Sequence, residues 1–291
     1  MFVIRSSCFI LRSDFVRQNS TLMDFDKNSW CILSPIEQSI KRKIEAVGVP
    51  LKDWNISINY GIKTGCNEAF IIDGATKDAL IAQDPKSAEI IRPILRGRDI
   101  KRYSYEFADK WLIATHNGTA TQERINIEDY PAVKMHLDTY YAKIAKRDDQ
   151  GDTPYNLRCC AYWDDFSKQK IVWKRIGSII RFAIDEKGVC PLDSVCFLTG
   201  NENLKYIVGY LNSSFAIKQL LDNAPKTGTG DVIISVQALE PLLIPKCDDL
   251  MREKVEKLVD IIIENKSSQH VGHQIDLIFK QILNLSSDEV I

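Results

Sequence analysis

The spacing of apolar and polar residues divides the chain into stretches of different character. Residues 1–28 are mixed, show no period and read as a leader or as part of a longer protein. A punctuated helix follows. Ser34, Pro35 and Glu37 form a capping box with Pro at the first helical position, Gly48 is placed as its stop, and Ile36, Ile40, Ile44 and Val47 make one apolar stripe. From Asn55 onward, short runs rich in Val, Ile and aromatics predict strands over 55–60, 69–73, 111–115, 170–173, 179–184, 195–198 and 232–235. Helices are predicted between them over 77–83, 85–91, 131–147 and 204–211, with a further apolar stretch at 215–221. Pro241 and Pro245 bar a helix through the segment that closes the globular part. Beyond it, Val255, Leu258, Val259 and Ile262, then Ile275, Ile278, Phe279 and Ile282, mark amphipathic helices over 251–265 and 271–285. A polar break joins them into a hairpin. Strands and helices come in irregular groups, so the fold class is α+β: a mixed-sheet domain followed by a C-terminal α-helical hairpin. The boundaries this implies are 1–54 for a leader and linker helix, 55–246 for the sheet domain and 247–291 for the hairpin.

Composition places the chain among globular proteins. With 45% hydrophobic and 26% charged residues over 291 positions, disordered and fibrous classes are excluded. No apolar run approaches the roughly 20 residues that span a bilayer. Arg5 and Arg12 bracket too short an apolar segment for a secretory signal. The eight Cys are scattered and none forms a C-x-x-C pair, which suits reduced thiols in a cytoplasmic protein. His270 and His273 are the one close His pair, too few ligands for zinc.

Charge changes the picture only locally. Against 39 acidic residues stand 38 Lys and Arg, a net charge of −1, so any argument for a polyanionic partner must rest on clusters. Residues 92–103 hold five cations (Arg92, Arg96, Arg98, Lys101 and Arg102) against Asp99, and end in Tyr103. A second cluster, from Lys143 to Arg181, adds Lys146, Arg147, Arg158, Lys168, Lys170, Lys174 and Arg175, interleaved with Tyr155, Tyr162, Trp163, Phe166 and Trp173. Cations mixed with aromatics suit a surface that tracks phosphates. The alternative is a solvated face over an ordinary core.

Enzymatic motifs are missing. There is no G-x-G-x-x-G after a strand, no P-loop and no G-x-S-x-G. The Gly228–Gly230 pair reads as a flexible loop. Asp148-Asp149 and Asp164-Asp165 read as solvated turns, and Asp185-Glu186-Lys187 before Gly188 reads as a hairpin turn rather than a nuclease motif.

The segment Gly61-Ile-Lys63-Thr64-Gly65-Cys-Asn67-Glu-Ala-Phe70 is the most informative. It resembles the opening motif of the TaqI-like C-terminal specificity domain, the target-recognition part of adenine-N6 DNA methyltransferases and fused restriction–modification enzymes, with BREX-type methyltransferases as relatives. The resemblance continues in order through Arg92-Pro-Ile-Leu-Arg96-Gly-Arg98-Asp-Ile-Lys101-Arg102-Tyr103, Trp111 to Thr115, Tyr130-Pro131, and Arg147-Asp148-x-x-Gly151-x-x-Pro154-Tyr155-x-Leu157-Arg158. Phe166-x-Lys168-x-Lys170-Ile-Val-Trp173, the stretch from Leu204 to Ser213, and Ile275-Asp276-x-Ile278-Phe279 follow, so that it covers residues 29–285. One departure matters. The catalytic N-P-P-Y tetrapeptide of full-length enzymes is absent, since the chain holds no Pro-Pro pair.

The resemblance therefore implies a sequence-specific double-stranded DNA-recognition module without the catalytic methyltransferase domain. No catalytic or metal residue and no cofactor belong to this chain; AdoMet, with Mg as a further candidate, belongs to the parent enzyme. The expected partners are duplex DNA and a methyltransferase or nuclease domain, in cis or as a separate subunit, with no membrane. Two alternatives stay open: an active methyltransferase or nuclease fragment with unrecognised motifs, and a protein-interaction module on the same scaffold. Lys63, Thr64 and Asn67 offer donors for phosphate or base edges, with Gly61 and Gly65 allowing close backbone approach to a partner. A tight loop with Lys63 merely solvated is the other reading. Arg96 and Arg98 suit bidentate guanine contacts, each worth about 1–3 kcal/mol of discrimination. Arg96 equally suits an ion pair with Asp99 or Glu89. Lys101, Arg102, Lys174, Arg175 and Lys226 are candidates for phosphate contact, Tyr155 and Arg158 for exposed positions after a turn, and Trp111 and Trp173 for the core.

Overall fold

The computed structural model describes residues 33–119, 121–200, 203–265 and 269–289, so the leader assigned to 1–28 lies outside the described residues. Helix α1 (Pro35–Val47) starts at the expected capping box, with Ser34 and Glu37 bonded reciprocally. Its stripe is narrower than the spacing suggests: Ile40 and Ile44 are buried while Ile36 and Val47 stay exposed. Strand β1 (Gly48–Pro50) follows directly and pairs with β12 (Leu243–Pro245), the segment between the two closing prolines.

The architectural centre is an antiparallel sheet in the order β2 (Ile56–Tyr60), β10 (Val195–Gly200), β6 (Lys170–Lys174), β8 (Phe182–Asp185). Its side chains alternate between two separate cores. Ile171, Trp173, Phe182, Cys196 and Leu198 face one, and Val172, Ala183, Val195 and Phe197 face the other. Register explains this, because Trp173 stands opposite Cys196 and Phe182, and Val172 opposite Phe197 and Ala183. Covering both faces is why β6, β8 and β10 are buried at successive positions, whereas the edge strand β2 is only partly buried, with Ser57 exposed.

Helices cover the first face. α6 (Leu204–Leu211) is buried at every position but Lys205 and packs on α9 (Asp249–Asn265) and α10 (Gln269–Ile282), the predicted helical pair. Val255, Val259, Ile262, Ile275 and Phe279 join the same core as Trp173 and Leu198, so the pair shares its packing with the sheet. α7 (Ser214–Asn223), capped by Ser213, and α8 (Val236–Leu239) complete this layer.

The second core sits under a smaller mixed sheet, β3 (Ile71–Asp73), β5 (Lys110–Ile113), β4 (Ile91–Leu95) and β9 (Cys190–Pro191), in which β4 and β9 run parallel. The helical turn α2 (Asn67–Phe70), α3 (Gly74–Gln83), α4 (Pro131–Asp138) and α5 (Tyr141–Ile144) lie in this half. Several sequence expectations change. The strand expected over 69–73 begins at Ile71, because Asn67–Phe70 form the turn α2. Residues 85–91 do not form an α-helix; a 3-10 turn over Pro85–Glu89 leads into β4. Pro93 is tolerated because pairing passes from β5 to β9 at that point, where its missing N–H costs little. The helix expected over 131–147 breaks after Asp138, where the Thr139 hydroxyl donates to the His136 carbonyl at 2.6 Å. The strand expected from 179 begins at Phe182, whose N–H donates to the Asn212 side chain and whose carbonyl accepts from it.

Candidate nucleic-acid interface

The site is built around the loop between β2 and α2. Gly61 meets its own chain closely: a Cβ there would lie 2.1 Å from the Leu192 carbonyl oxygen, so this glycine serves the junction of the two sheets rather than approach to a partner. Gly65 takes φ +68°, a conformation that favours glycine. Between them Thr64 turns inward, 1% exposed, and its hydroxyl donates to Asn67 Oδ1 at 2.6 Å. Thr64 is thus a loop staple with no surface to offer DNA, and the exposed Asn67 has its side-chain oxygen engaged in the same contact.

Arg147 locks the loop from below. Its Nη1 donates to the carbonyls of Thr64 and Asp149, and Nη2 to those of Pro154 and Asn156. The guanidinium also stacks on Phe70, 4.4 Å from the ring centroid. Burial pushes its pKa down to about 10. A residue read as part of a basic surface is instead a clamp on four carbonyl oxygens. Lys170 departs from the surface reading for a similar reason. It is fully buried, pairs with Asp185 at 2.5 Å and donates to the Phe166 carbonyl. Asp185 also accepts from Tyr105 and from the N–H groups of Lys187 and Val189, fixing the turn expected there.

Above this scaffold lies a cleft of about 610 Å3 lined by Tyr60, Gly61, Lys63, Arg158, Tyr162, Arg175 and Asp193, among others. It brings together three predicted cations that lie far apart in sequence. Lys63 and Arg158 project from it, their side chains 58% and 63% exposed. Both touch one carboxylate, Asp149, at 3.0 and 3.3 Å. Hydrogen bonding from Lys63, reinforced by Arg158, holds the Asp149 carboxyl below the usual carboxylate range. Sequence reading placed Asp149 in a solvated turn; its role becomes visible only when the fold sets the loop at 63 beside the strand-like segment at 158.

A neighbouring group continues from this cleft. Lys174, next to Arg175, is exposed and lies over Gly97 and Gly177, so it links the turn carrying Arg98 to β7 (Ile176–Gly177). β7 pairs with β11 (Val232–Ile233), and Lys226 sits on the loop leading into β11. Arg98, Lys174, Arg175 and Lys226 have no carboxylate partner among the described residues.

Other predicted residues are committed elsewhere. Arg96 forms a two-pronged pair with Asp99, at 2.8 and 2.9 Å, which raises its pKa and occupies the fork that a guanine contact would need. Its ion-pair reading is the one the geometry supports. Arg102 donates to the Asn212 carbonyl at 2.6 Å and packs against Gly272 of α10, so it ties two halves of the fold together instead of facing phosphates. Lys101 pairs with Glu106 at 3.5 Å on the surface. Tyr155 donates to Asp138 at 2.6 Å, and burial with this bond pushes its pKa up to about 12. Trp173 is core, donating to the Ile234 carbonyl, whereas Trp111 is half-buried beneath the Lys77 ammonium. Among the described residues, no group of three His, Cys, Asp or Glu converges as a metal site, and no helix is long and apolar enough to cross a membrane.

Comparison with known proteins agrees with this architecture. A family model described as the TaqI-like C-terminal specificity domain matches residues 92–242, just over half of the chain. The Type II methyltransferase M.MjaIV of Methanocaldococcus jannaschii is 23% identical over 256 residues, covering 81% of each chain. Two solved structures share the fold. One is the Type IIL restriction–modification enzyme MmeI in complex with DNA (TM-score 0.62, 13% identity, 83% of this chain and 34% of that one). The other is the Type IIG restriction endonuclease BpuSI (TM-score 0.54, 16% identity, 87% and 31%). The chain thus spans about a third of the length of either restriction enzyme.

Proposed function

Since the chain belongs to the TaqI-like C-terminal specificity domain family, we propose that it reads double-stranded DNA in a sequence-specific manner, as the recognition module of a restriction–modification or phage-defence adenine methyltransferase. One observation carries the reading. In a protein of net charge −1, Lys63, Arg158 and Arg175 converge on a single cleft, with Arg98, Lys174 and Lys226 on adjoining segments. In this account these six contact the duplex, Lys174, Arg175 and Lys226 through phosphates. A local cation cluster binds a polyanion by releasing its counterions, so affinity must fall with salt. Arg98, exposed on a short turn and without a carboxylate partner among the described residues, is the residue best placed to address a base edge. Its neighbour Arg96 would act through Asp99 by holding that turn in shape.

Chemistry on the base would fall to a separate methyltransferase or nuclease domain, in cis or as another subunit, which would bring AdoMet and Mg. The cytoplasm is the compartment that suits this role. A second reading, that the chain itself transfers methyl groups, draws on the name of the M. jannaschii relative, of which it covers 81%. The missing Pro-Pro pair, and with it any N-P-P-Y tetrapeptide, favours the first. Anisotropy titration of a randomised duplex pool at several salt concentrations tests DNA recognition, and calorimetry with AdoMet separates the two readings. Selection of one sequence with no AdoMet binding is expected. Saturable AdoMet binding would transfer the argument to the second reading.

A further inference from the structure

Asp149 sits where it can do more than fix a loop, and its part rests on the DNA-recognition reading above. We propose that Asp149 is a specificity-determining residue of the cleft: it masks Lys63 and Arg158 in the unbound protein and opposes duplexes that offer phosphate contacts alone.

The geometry separates the anion from its cations. Asp149 gives one carboxylate oxygen to each, Oδ2 to Lys63 Nζ and Oδ1 to Arg158 Nη1. Its own side chain is only 17% exposed, set back behind two long side chains that project. Its backbone and Cβ are held in place. Its carbonyl accepts from Arg147 at 2.8 Å, and Gly65 packs so closely that a Cβ there would lie 3.1 Å from the Asp149 Cβ. Arg147 already supplies the loop's structural clamp, so the carboxylate is left to act on charge. Lys63 and Arg158, by contrast, can turn toward a phosphate, because exposed ion pairs are weak. Each cation that leaves uncovers a fixed negative charge beside the incoming backbone. A duplex held by phosphates alone must draw both cations off Asp149 and bears the whole repulsion, whereas one fixed by base contacts elsewhere, as at Arg98, draws off fewer and bears less. Like-charge juxtaposition of this kind suppresses wrong partners.

The test measures, on the full chain, affinity for a labelled duplex of random sequence and for the duplex selected from a randomised pool. For Asp149→Asn, binding to the random duplex should tighten by about three- to tenfold and fall more steeply with salt, while the selected duplex gains less, so the selectivity ratio drops about threefold or more. Glu253→Gln, on α9, changes the net charge equally and should leave the ratio unchanged. In a chain already carrying Lys63→Met and Arg158→Gln, Asp149→Asn should have lost its effect on the ratio, and far-UV circular dichroism with a melting curve verifies that each variant is folded. An unchanged ratio in folded Asp149→Asn, or equal weakening on both duplexes, overturns the proposal while leaving DNA recognition intact. Wild-type protein that binds neither duplex overturns both.

Discussion

Arg147 and Arg158 stand eleven positions apart in the same basic cluster, yet the structure gives them opposite work and opposite mutational consequences. Arg158→Gln or Lys63→Met removes an exposed cation whose loss should leave thermal stability within about 0.5 kcal/mol. Each should weaken duplex binding across sequences and flatten its salt dependence by about one unit of slope. Arg147→Met should leave four carbonyl oxygens without their donor and cost about 2–4 kcal/mol in urea denaturation. A loss below about 0.5 kcal/mol would contradict the clamp. Local charge counting found Arg158 and Arg175 because projecting cations need only be numerous nearby, whereas Lys63, outside both clusters, came from the Gly61–Phe70 motif. Counting could not find Asp149, since a carboxylate in a turn looks the same in sequence whether water or two cations face it. Nor could it separate Arg147 from Arg158, because burial is decided by which carbonyls the fold brings within reach.

At the level of elements, local signals worked wherever a segment's own side chains decide its shape. The capping box of α1 is one such case, and Ser34→Ala should cost about 1 kcal/mol. The Ser34 N–H and the Lys218 ammonium hold the Glu37 pKa down at about 2, from an ordinary 4.5. A depressed folded pKa contributes stability that is complete above the ordinary value and is lost as pH falls through the folded one. Glu37→Gln should therefore destabilise at neutral pH and cease to matter as pH approaches about 2; an effect that persists in acid would contradict the cap. The helical pair was equally legible, from its repeat of Val and Ile. Its seat on α6 was not, for it depends on Gly209, where a Cβ would lie 2.7 Å from Val255. Gly209→Ala should force α6 and α9 apart and lower stability by about 1–3 kcal/mol. What sequence missed, such as β4, which no expected strand covered, depended on partners supplied by distant strands: Pro93 fits only because β5 and β9 share that strand between them.

On the scale of the molecule, one sheet buried on both faces divides the chain into two cores and holds the loop at 63, the segment at 158 and the end of β6 around a common cleft. Overall neutrality makes the arrangement consequential, because long-range attraction contributes little and binding must come from that cluster. The most direct measurement is fluorescence anisotropy of a selected duplex against salt concentration, for the wild type and for a variant carrying Lys63→Met, Arg158→Gln and Arg175→Gln. The account predicts that log affinity falls linearly with log salt, and that the variant loses slope by about 0.9 for each cation removed while keeping its fold. Affinity indifferent to salt, or a folded triple variant that binds as tightly as the wild type, would contradict it.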